Sequence, residues 1–189
     1  NKEWEFETDP EGLRPTIELP ISVGSDVVFV TATSSYQNGE LYVINKEDGT
    51  ERWTYTVAAD HAPVAGDGSI YSSIDSGRRD NIQALNASNG GVQWETLAGM
   101  GQISDMTLAG TSLYHSDPGC VSRIPTDFSS YGETNISFSD TVQSIQSPSV
   151  AGRDIYITLN NENENGFLFA FDSVTGEEKW RNRLGGGSK

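Results

Sequence analysis

The chain has 189 residues, of which 27 are acidic and 12 are basic, and its formal charge at neutral pH is -15. A surface this acidic repels nucleic acid and anionic membranes, which argues against both as partners. Few of the basic residues are lysines, and such a composition keeps a protein hydrated in concentrated salt. The composition therefore indicates a halophilic source, and the alternative is an ordinary acidic extracellular domain.

Several classes of protein are excluded by what the sequence lacks. Cys120 is the single cysteine, which rules out an intrachain disulfide and a thiolate metal cluster. No run of about 20 apolar residues is present, so we expect no membrane-spanning segment. The first residues do not resemble a signal peptide, and residues 185–189 have the composition of a flexible end. We therefore expect a processed or excised piece of a longer protein.

Short runs of alternating apolar and polar residues, separated by turn residues, extend through the whole chain. Alternation with period two predicts β-strands, and no window keeps the spacing of an amphipathic helix. One marker repeats along these strands: an apolar residue and Gly, followed after a short turn by an apolar-aromatic pair. Its glycines, at positions 24, 66, 110 and 152, lie 42, 44 and 42 residues apart. A period of about 40–45 residues with four short strands is typical of a propeller blade.

A second marker ends each unit, where a strand leads through a turn containing Gly to a Trp four residues later. The pairs are Gly49 with Trp53, Gly90 with Trp94, and Gly176 with Trp180. In the third unit Ile136 follows Gly132 at the same distance, so this copy is degenerate. At the start of the chain, Trp4 predicts the outer strand of a preceding blade, an orphan strand over residues 1–8.

The two markers together predict an all-β chain of four-stranded antiparallel blades, with four repeat units that form a partial (half) propeller. We place the units at about 17–57, 61–98, 103–139 and 145–184. The loops between the second and third strands vary most in length, and we expect them on one rim, where propellers bind partners. The fourth unit already has its own Trp strand, which leaves Trp4 surplus. We therefore expect an open half-disc, completed by missing blades or by a second copy.

The copy of the repeat that ends at Trp180 resembles the tryptophan-docking repeat of PQQ-like β-propellers, a quinoprotein dehydrogenase-like fold. It matches the motif at Ala170, Asp172, Thr175, Gly176 and Trp180, and the earlier copies match in part. The resemblance implies that each Trp packs against the neighbouring blade and that each Gly lets a turn approach it closely. Asn45 and Asn86 stand at the place of Asp172, which favours a role in the turn over one as an acid or ligand.

The family that the repeat resembles contains both quinoprotein dehydrogenases and non-enzymatic binding platforms. The dehydrogenases hold PQQ with a vicinal cysteine pair, a stacking Trp, Ca²⁺ and an Asp base. This chain has one cysteine, and each of its four Trp residues belongs to the repeat. We therefore expect no cofactor and no catalytic residue.

The predicted function is a non-enzymatic binding or scaffold module of an extracellular or envelope-associated protein. We expect it to engage a protein or peptide through a blade rim. One alternative is a fragment of a PQQ-dependent dehydrogenase, which would require PQQ and Ca²⁺. The other is a structural component of a cell surface.

Two acidic residues are weak candidates for a metal site. Asp75 and Asp80 flank an oxygen-rich turn of a kind that can bind Ca²⁺, although the turn lacks the alternating ligands of a calcium loop. His61 and His115 lie in different units without a metal-ligand spacing, so we expect a structural or solvent-facing role for both. In a chain this acidic, solvated carboxylates are the default, and we predict no metal site.

Overall fold

The computed structural model describes residues 3–8, 17, 19, 21–35, 38–57, 61–75, 80–98, 103–117, 120–128, 136–137, 142–161 and 166–184. These residues form strands and turns and no helix, which confirms the predicted all-β class. The chain divides into two compact units, Asn1–Ala98 and Gly99–Lys189, and each unit contains two antiparallel sheets. The four sheets are the four predicted blades of a partial propeller, and they are numbered below as blades 1 to 4.

The first unit contains two sheets whose strands are neighbours in the order of the chain. Blade 1 consists of β1 (Ser22–Val23), β2 (Val27–Ser35), β3 (Asn38–Asn45) and β4 (Glu51–Val57). Blade 2 consists of β5 (Val64–Gly66), β6 (Ser69–Asp75), β7 (Asp80–Asn86) and β8 (Val92–Leu97).

The second unit repeats this arrangement with one addition. Blade 3 consists of β9 (Thr107–Ala109), β10 (Ser112–Asp117), β11 (Cys120–Pro125) and β12 (Ile136–Ser137). Blade 4 consists of β14 (Ser149–Ala151), β15 (Asp154–Asn161), β16 (Gly166–Asp172) and β17 (Glu178–Leu184), and a short strand β13 (Val142–Ile145) pairs with the far end of β15. Neither sequence marker falls in β13, so the repeat pattern gives no sign of it.

The first sequence marker corresponds to the tight hairpin between the first two strands of a blade. In blade 2 the loop is Asp67-Gly68, and both residues have positive φ angles, 51° and 75°. Two-residue hairpins take this conformation because its twist matches that of the flanking strands, and Gly adopts it without steric cost. Gly110 and Gly152 have positive φ at the first loop position in blades 3 and 4, the position that Asp67 has in blade 2.

The hydrophobic core lies between neighbouring sheets within each unit. In the first unit Phe29, Leu41 and Val43 of blade 1 pack in one cluster with Ile70 and Leu85 of blade 2. Each of these side chains is at most 1% exposed. Burying a side chain of this size stabilises the fold by about 1.5–3 kcal/mol, so the faces between blades supply much of the driving force.

The second unit has an equivalent core between blades 3 and 4. Ile155, Ile157 and Phe169 of blade 4 pack in one cluster with Tyr114 and Val121 of blade 3. Ile136, which replaces Trp in the degenerate copy, is 4% exposed and belongs to the same cluster. The third copy therefore keeps an apolar contact with the next blade although the indole is absent.

A hydroxyl of each unit links the first strands of neighbouring blades. The Ser22 hydroxyl of β1 donates to the carbonyl of Pro63, directly before β5. The Thr107 hydroxyl of β9 donates in the same way to the carbonyl of Pro148, directly before β14. The two links span the same number of residues, 41, so they belong to the repeat.

Candidate functional site

The turn between the third and fourth strands has one conformation in three of the blades. In each of them a Gly near its end has positive φ, and its N–H donates to the carbonyl four residues earlier. The residues are Gly49 (φ 73°, 2.9 Å to Asn45 O), Gly90 (71°, 2.8 Å to Asn86 O) and Gly176 (73°, 2.8 Å to Asp172 O). We call these three segments the docking turns.

Trp53, in the outer strand β4 of blade 1, lies directly on the docking turn of blade 2. A Cβ built on Gly90 would stand 2.9 Å from Cε3 of Trp53, which is closer than any side chain allows. The Trp53 indole Nε1–H donates to the carbonyl of Ala87 at 3.0 Å. Gly is therefore required at this position twice, by its φ angle and by the indole above it.

Trp4 occupies the docking turn of blade 1 in the same way. A Cβ on Gly49 would stand 2.7 Å from Cδ2 of Trp4, and the indole Nε1–H donates to the carbonyl of Lys46 at 3.1 Å. Sequence reasoning missed the two carbonyl acceptors, Lys46 and Ala87, because a backbone acceptor leaves no mark in a sequence. It also missed Phe6, whose ring lies 5.5 Å from that of Tyr42 in an edge-to-face arrangement.

The remaining two Trp residues are backed by a Tyr of their own sheet. The Trp94 and Tyr71 rings lie 5.8 Å apart, and the Trp180 and Tyr156 rings lie 6.1 Å apart. Trp180 is 41% exposed, and all seven residues of its strand β17 are exposed. Among the predicted repeat residues, the structure thus brings Trp4 to Gly49 and Trp53 to Gly90, and it leaves Trp180 open to solvent.

In two of the docking turns a side-chain oxygen of the first residue caps the backbone, whereas in blade 1 the oxygen of Asn45 accepts from Arg52. Asp172 Oδ1 accepts from the N–H groups of Val174 at 2.9 Å and Thr175 at 3.1 Å. At the same place in blade 2, Asn86 Oδ1 accepts from the N–H of Ser88 at 2.9 Å. Either an amide or a carboxylate fills this position, which agrees with the turn role that the sequence predicts for Asp172.

Ion pairs hold the Asp172 carboxylate in its charged form. Its Oδ2 lies 3.3 Å from Lys179 Nζ and 3.3 Å from Arg153 Nη2, and Lys179 also contacts Asp154. The N–H groups of Val174 and Thr175, followed by Lys179 and Arg153, hold the pKa of Asp172 well below its usual range. The Asp154 carboxylate in turn raises the pKa of Lys179. This carboxylate is therefore committed to its turn and is not poised to exchange a proton near neutral pH.

The structure pairs the two predicted metal candidates, Asp75 and Asp80, at the ends of β6 and β7. Their side chains lie outside the described part, so their role stays a prediction. His115 is fully buried in β10, whereas His61 is half-buried before β5. No group of three or more His, Cys, Asp or Glu residues among those described is arranged to hold a metal ion. Nor do the described residues include a helix with the length and apolar character needed to cross a membrane.

Antiparallel blades joined by a Trp on a Gly turn define a β-propeller of PQQ-like repeats. The family model described as outer membrane protein assembly factor BamB matches residues 2–122. Because the match covers more than half of the sequence, the chain belongs to this family, which is associated with the cell envelope. A search of curated proteins found no match.

Solved structures with the same fold include a BamB, a chain of a protein complex and an enzyme. BamB from Moraxella catarrhalis has 14% identity and a TM-score of 0.51, over 95% of this chain and 64% of that one. A chain of a nidogen/laminin complex has 14% identity and a TM-score of 0.59, over 85% and 61%. A quinohemoprotein alcohol dehydrogenase from Pseudomonas putida HK5 has 15% identity and a TM-score of 0.58, over 87% and 34%. These similarities show the fold alone, and the chain spans less than two thirds of each of these proteins.

The contact between Trp53 and Gly90 predicts a difference between two glycines of blade 2. Gly68 has nearly the same φ, 75°, but no atom lies within 4 Å of a Cβ built on it. Gly68→Ala should therefore lower the free energy of unfolding only by the strain of a left-handed Ala, about 1–2 kcal/mol. Gly90→Ala should cost about 1–3 kcal/mol more, because its methyl group displaces the indole. Urea unfolding of the two variants measures the difference, and equal losses would contradict the docking.

The low pKa of Asp172 predicts how acid affects stability. Its charged form is favoured by folding, so its contribution is present above the usual carboxyl pKa and is lost as the pH falls below about 4. Asp172→Asn keeps the oxygen that caps the turn but removes the charge, and it should make stability less dependent on pH between about 5 and 2. The reverse change in blade 2, Asn86→Asp, should make it more dependent. Thermal unfolding across this range measures both, and unchanged slopes would refute the interpretation.

Proposed function

We propose that the chain is a non-enzymatic binding or scaffold module of an extracellular or envelope-associated protein, and that it engages a protein or peptide through a blade rim. The observation that carries this proposal is that the Trp and Asp residues of the repeat motif make structural contacts. Trp4 and Trp53 lie on docking turns, and Asp172 is held by backbone N–H groups and two cations. These groups build the scaffold, and none of them is left to bind or transform a small substrate.

The names of two similar proteins support a protein partner. BamB is described as an assembly factor for outer membrane proteins, and the nidogen/laminin structure is a complex of proteins. The rim that we propose carries the loops after β2, β6, β10 and β15. Their central residues lie outside the described part. Their sequences include Asp117, Glu162 and Glu164, and in the loop after β6 Asp75 and Asp80 flank Arg78 and Arg79. An acidic rim favours a partner with a basic surface.

A fragment of a PQQ-dependent dehydrogenase is the second candidate, and the similarity to the alcohol dehydrogenase supports it. That candidate needs a stacking Trp and a Ca²⁺ site. Trp4 and Trp53 are already packed on turns, and the sequence has one cysteine instead of a vicinal pair. PQQ and Ca²⁺ therefore belong to the alternative and not to the function proposed here.

The proposed setting is the outside of a halophilic cell. The formal charge of -15 and the scarcity of lysine support this setting. Carboxylates that lie on the described surface, such as Glu47, Glu51 and Asp67, are exposed and free to hold water and ions. In molar salt the Debye length falls to about 3 Å, so the repulsion within the chain is screened. The family's association with the cell envelope is consistent with an exported protein.

The proposed module is completed by further blades or by a second copy. Blade 4 exposes apolar side chains near its outer strand: Val174 is 57% exposed, Trp180 41% and Leu184 46%. Exposed apolar patches mark sites of association, and Trp180 and Leu184 lie on the same face of β17, four residues apart. The chain spans 64% of the Moraxella BamB chain.

The proposed function predicts the outcome of two binding measurements. In equilibrium dialysis with PQQ and Ca²⁺, followed by quinone absorbance, the protein should show no saturable uptake, whereas a PQQ-dependent alcohol dehydrogenase serves as the positive control. In affinity capture from an envelope fraction, the protein should recover a defined partner in molar salt. A variant with residues 162–165 replaced by Gly and Ser should lose that partner, and Val92→Thr, a change at an exposed position of β8, should retain it.

Tight one-to-one uptake of PQQ would contradict the proposal and favour the dehydrogenase. Capture of no partner at any salt concentration would contradict rim binding and favour a structural surface component.

A further inference from the structure

We infer that residues 3–8 are an exchangeable plug on blade 1, and that strand β17 of a second copy of this chain takes their place by docking Trp180 on Gly49. This inference deepens the proposed function, since it rests on an open edge at blade 4. It names the partner of that edge, the residues of the contact and the segment that competes with it.

The plug is held by side chains and not by a sheet. Trp4 and Phe6 pack against Val30, Ala32 and Ile44 of blade 1. Further contacts include the hydrogen bond from the Trp4 indole to Lys46, and the Tyr42 hydroxyl, whose oxygen lies 2.6 Å from the Thr8 carbonyl oxygen. Within the described part of the chain, residues 3–7 belong to no strand. A segment without ladder hydrogen bonds can leave its site without breaking a sheet.

Blade 4 offers the same cross-strand row that blade 1 uses at its own contact with blade 2. In blade 1, Phe29 is opposite Val43, and Val43 is opposite Trp53. In blade 4 the corresponding row is Tyr156, Ala170 and Trp180. The row of blade 1 is covered by Ile70 and Leu85 of blade 2. The row of blade 4 ends in Trp180, which is 41% exposed. This row can therefore dock on apolar side chains like those by which blade 2 covers the row of blade 1.

The cover that fits this row is present on blade 1 of a second copy. Ile70 and Leu85, which cover Trp53 and its neighbours, are opposite each other across β6 and β7. Val28 and Ile44 have the same register across β2 and β3. The Gly49 turn has the conformation of the Gly90 turn and already accepts an indole, that of Trp4. The second copy therefore carries a complete receptor for Trp180, and its own plug occupies it.

Charge favours the exchange at the docking turn. Aligned on their Trp residues, the plug has Glu3, Glu5 and Glu7 where β17 has Lys179, Arg181 and Arg183. All six are exposed. The docking turn of blade 1 is flanked by three exposed acids, Glu47, Asp48 and Glu51. Exchange thus replaces three acidic side chains near an acidic turn by three basic ones, of which Lys179 is already paired with Asp154 and Asp172, and Arg181 with Glu178.

The two surfaces of this contact differ, so the contact is head-to-tail. Such a contact closes into a ring when the geometry of the copies allows it and otherwise continues as a filament. In both cases Trp4 limits association, because each new contact must displace one plug.

Light scattering over a wide range of protein concentration tests the inference on the full chain. The wild type should associate reversibly, and Trp180→Ala should weaken the association at least about tenfold, because its β17 lacks the indole. Trp4→Ala should strengthen it at least about fivefold, because the receptor is then free. The double variant should associate more strongly than Trp180→Ala and more weakly than Trp4→Ala, because a free receptor then meets a β17 that lacks the indole. A synthetic peptide of residues 1–8 should reverse the association of Trp4→Ala, and the same peptide with Ala in place of Trp should not.

Two results would overturn the inference: association of Trp180→Ala as strong as that of the wild type, or an unchanged or weaker association of Trp4→Ala. If Trp4→Ala fails to fold, the comparison of Trp180→Ala with the wild type decides alone, since Trp180 lies on an exposed strand. The partner captured through the rim should bind to Trp180→Ala and to the wild type equally. Absence of self-association in the wild type, with rim binding intact, would therefore contradict only this inference and leave the proposed function standing.

Discussion

The contact of an indole with a left-handed glycine is the interaction on which the order of the blades depends. Trp53 reaches from the outer strand of blade 1 over Gly90 of blade 2, and its N–H bonds the turn that it covers. An indole buries about 150–250 Å², and its N–H satisfies a carbonyl that would otherwise need water. Trp53 therefore supplies an apolar contact between the blades, and its hydrogen bond fixes how the indole is oriented on the turn. The fixed four-residue spacing from Gly to Trp follows, because the same hairpin must receive one indole and supply the next.

The docking contact also explains why single blades are incomplete. Within each unit the two sheets face each other, and the core cluster lies between them. The hydroxyl links at Ser22 and Thr107 connect the inner ends of the same pairs of blades. As in other repeat proteins, stability is then a sum over units and their contacts with neighbours. A terminal blade must have its free face covered or carry it exposed, and Trp4 and Trp180 represent these two outcomes.

The sequence predicts the blades because their physical requirements are local. Alternation marks the strands, and positive φ restricts the docking turns to Gly. The strand β13 was beyond prediction, because its pairing with β15 follows from the fold and not from a repeated motif. The cations around Asp172 were also missed, since Arg153 and Lys179 come from different strands and meet only in the folded blade. For the candidate site, the sequence predicts the Trp and Gly partners, but which Trp remains exposed depends on packing.

A double-mutant cycle between Trp53 and Gly90 tests the central claim most directly. The free energy of unfolding is measured by urea denaturation for the wild type, Trp53→Leu, Gly90→Ala and the double variant. If the indole and the glycine form the contact between blades, Gly90→Ala costs less when Trp53 is already absent, and the coupling energy is about 1 kcal/mol or more. Additive losses, with a coupling energy within about 0.3 kcal/mol of zero, would contradict the account.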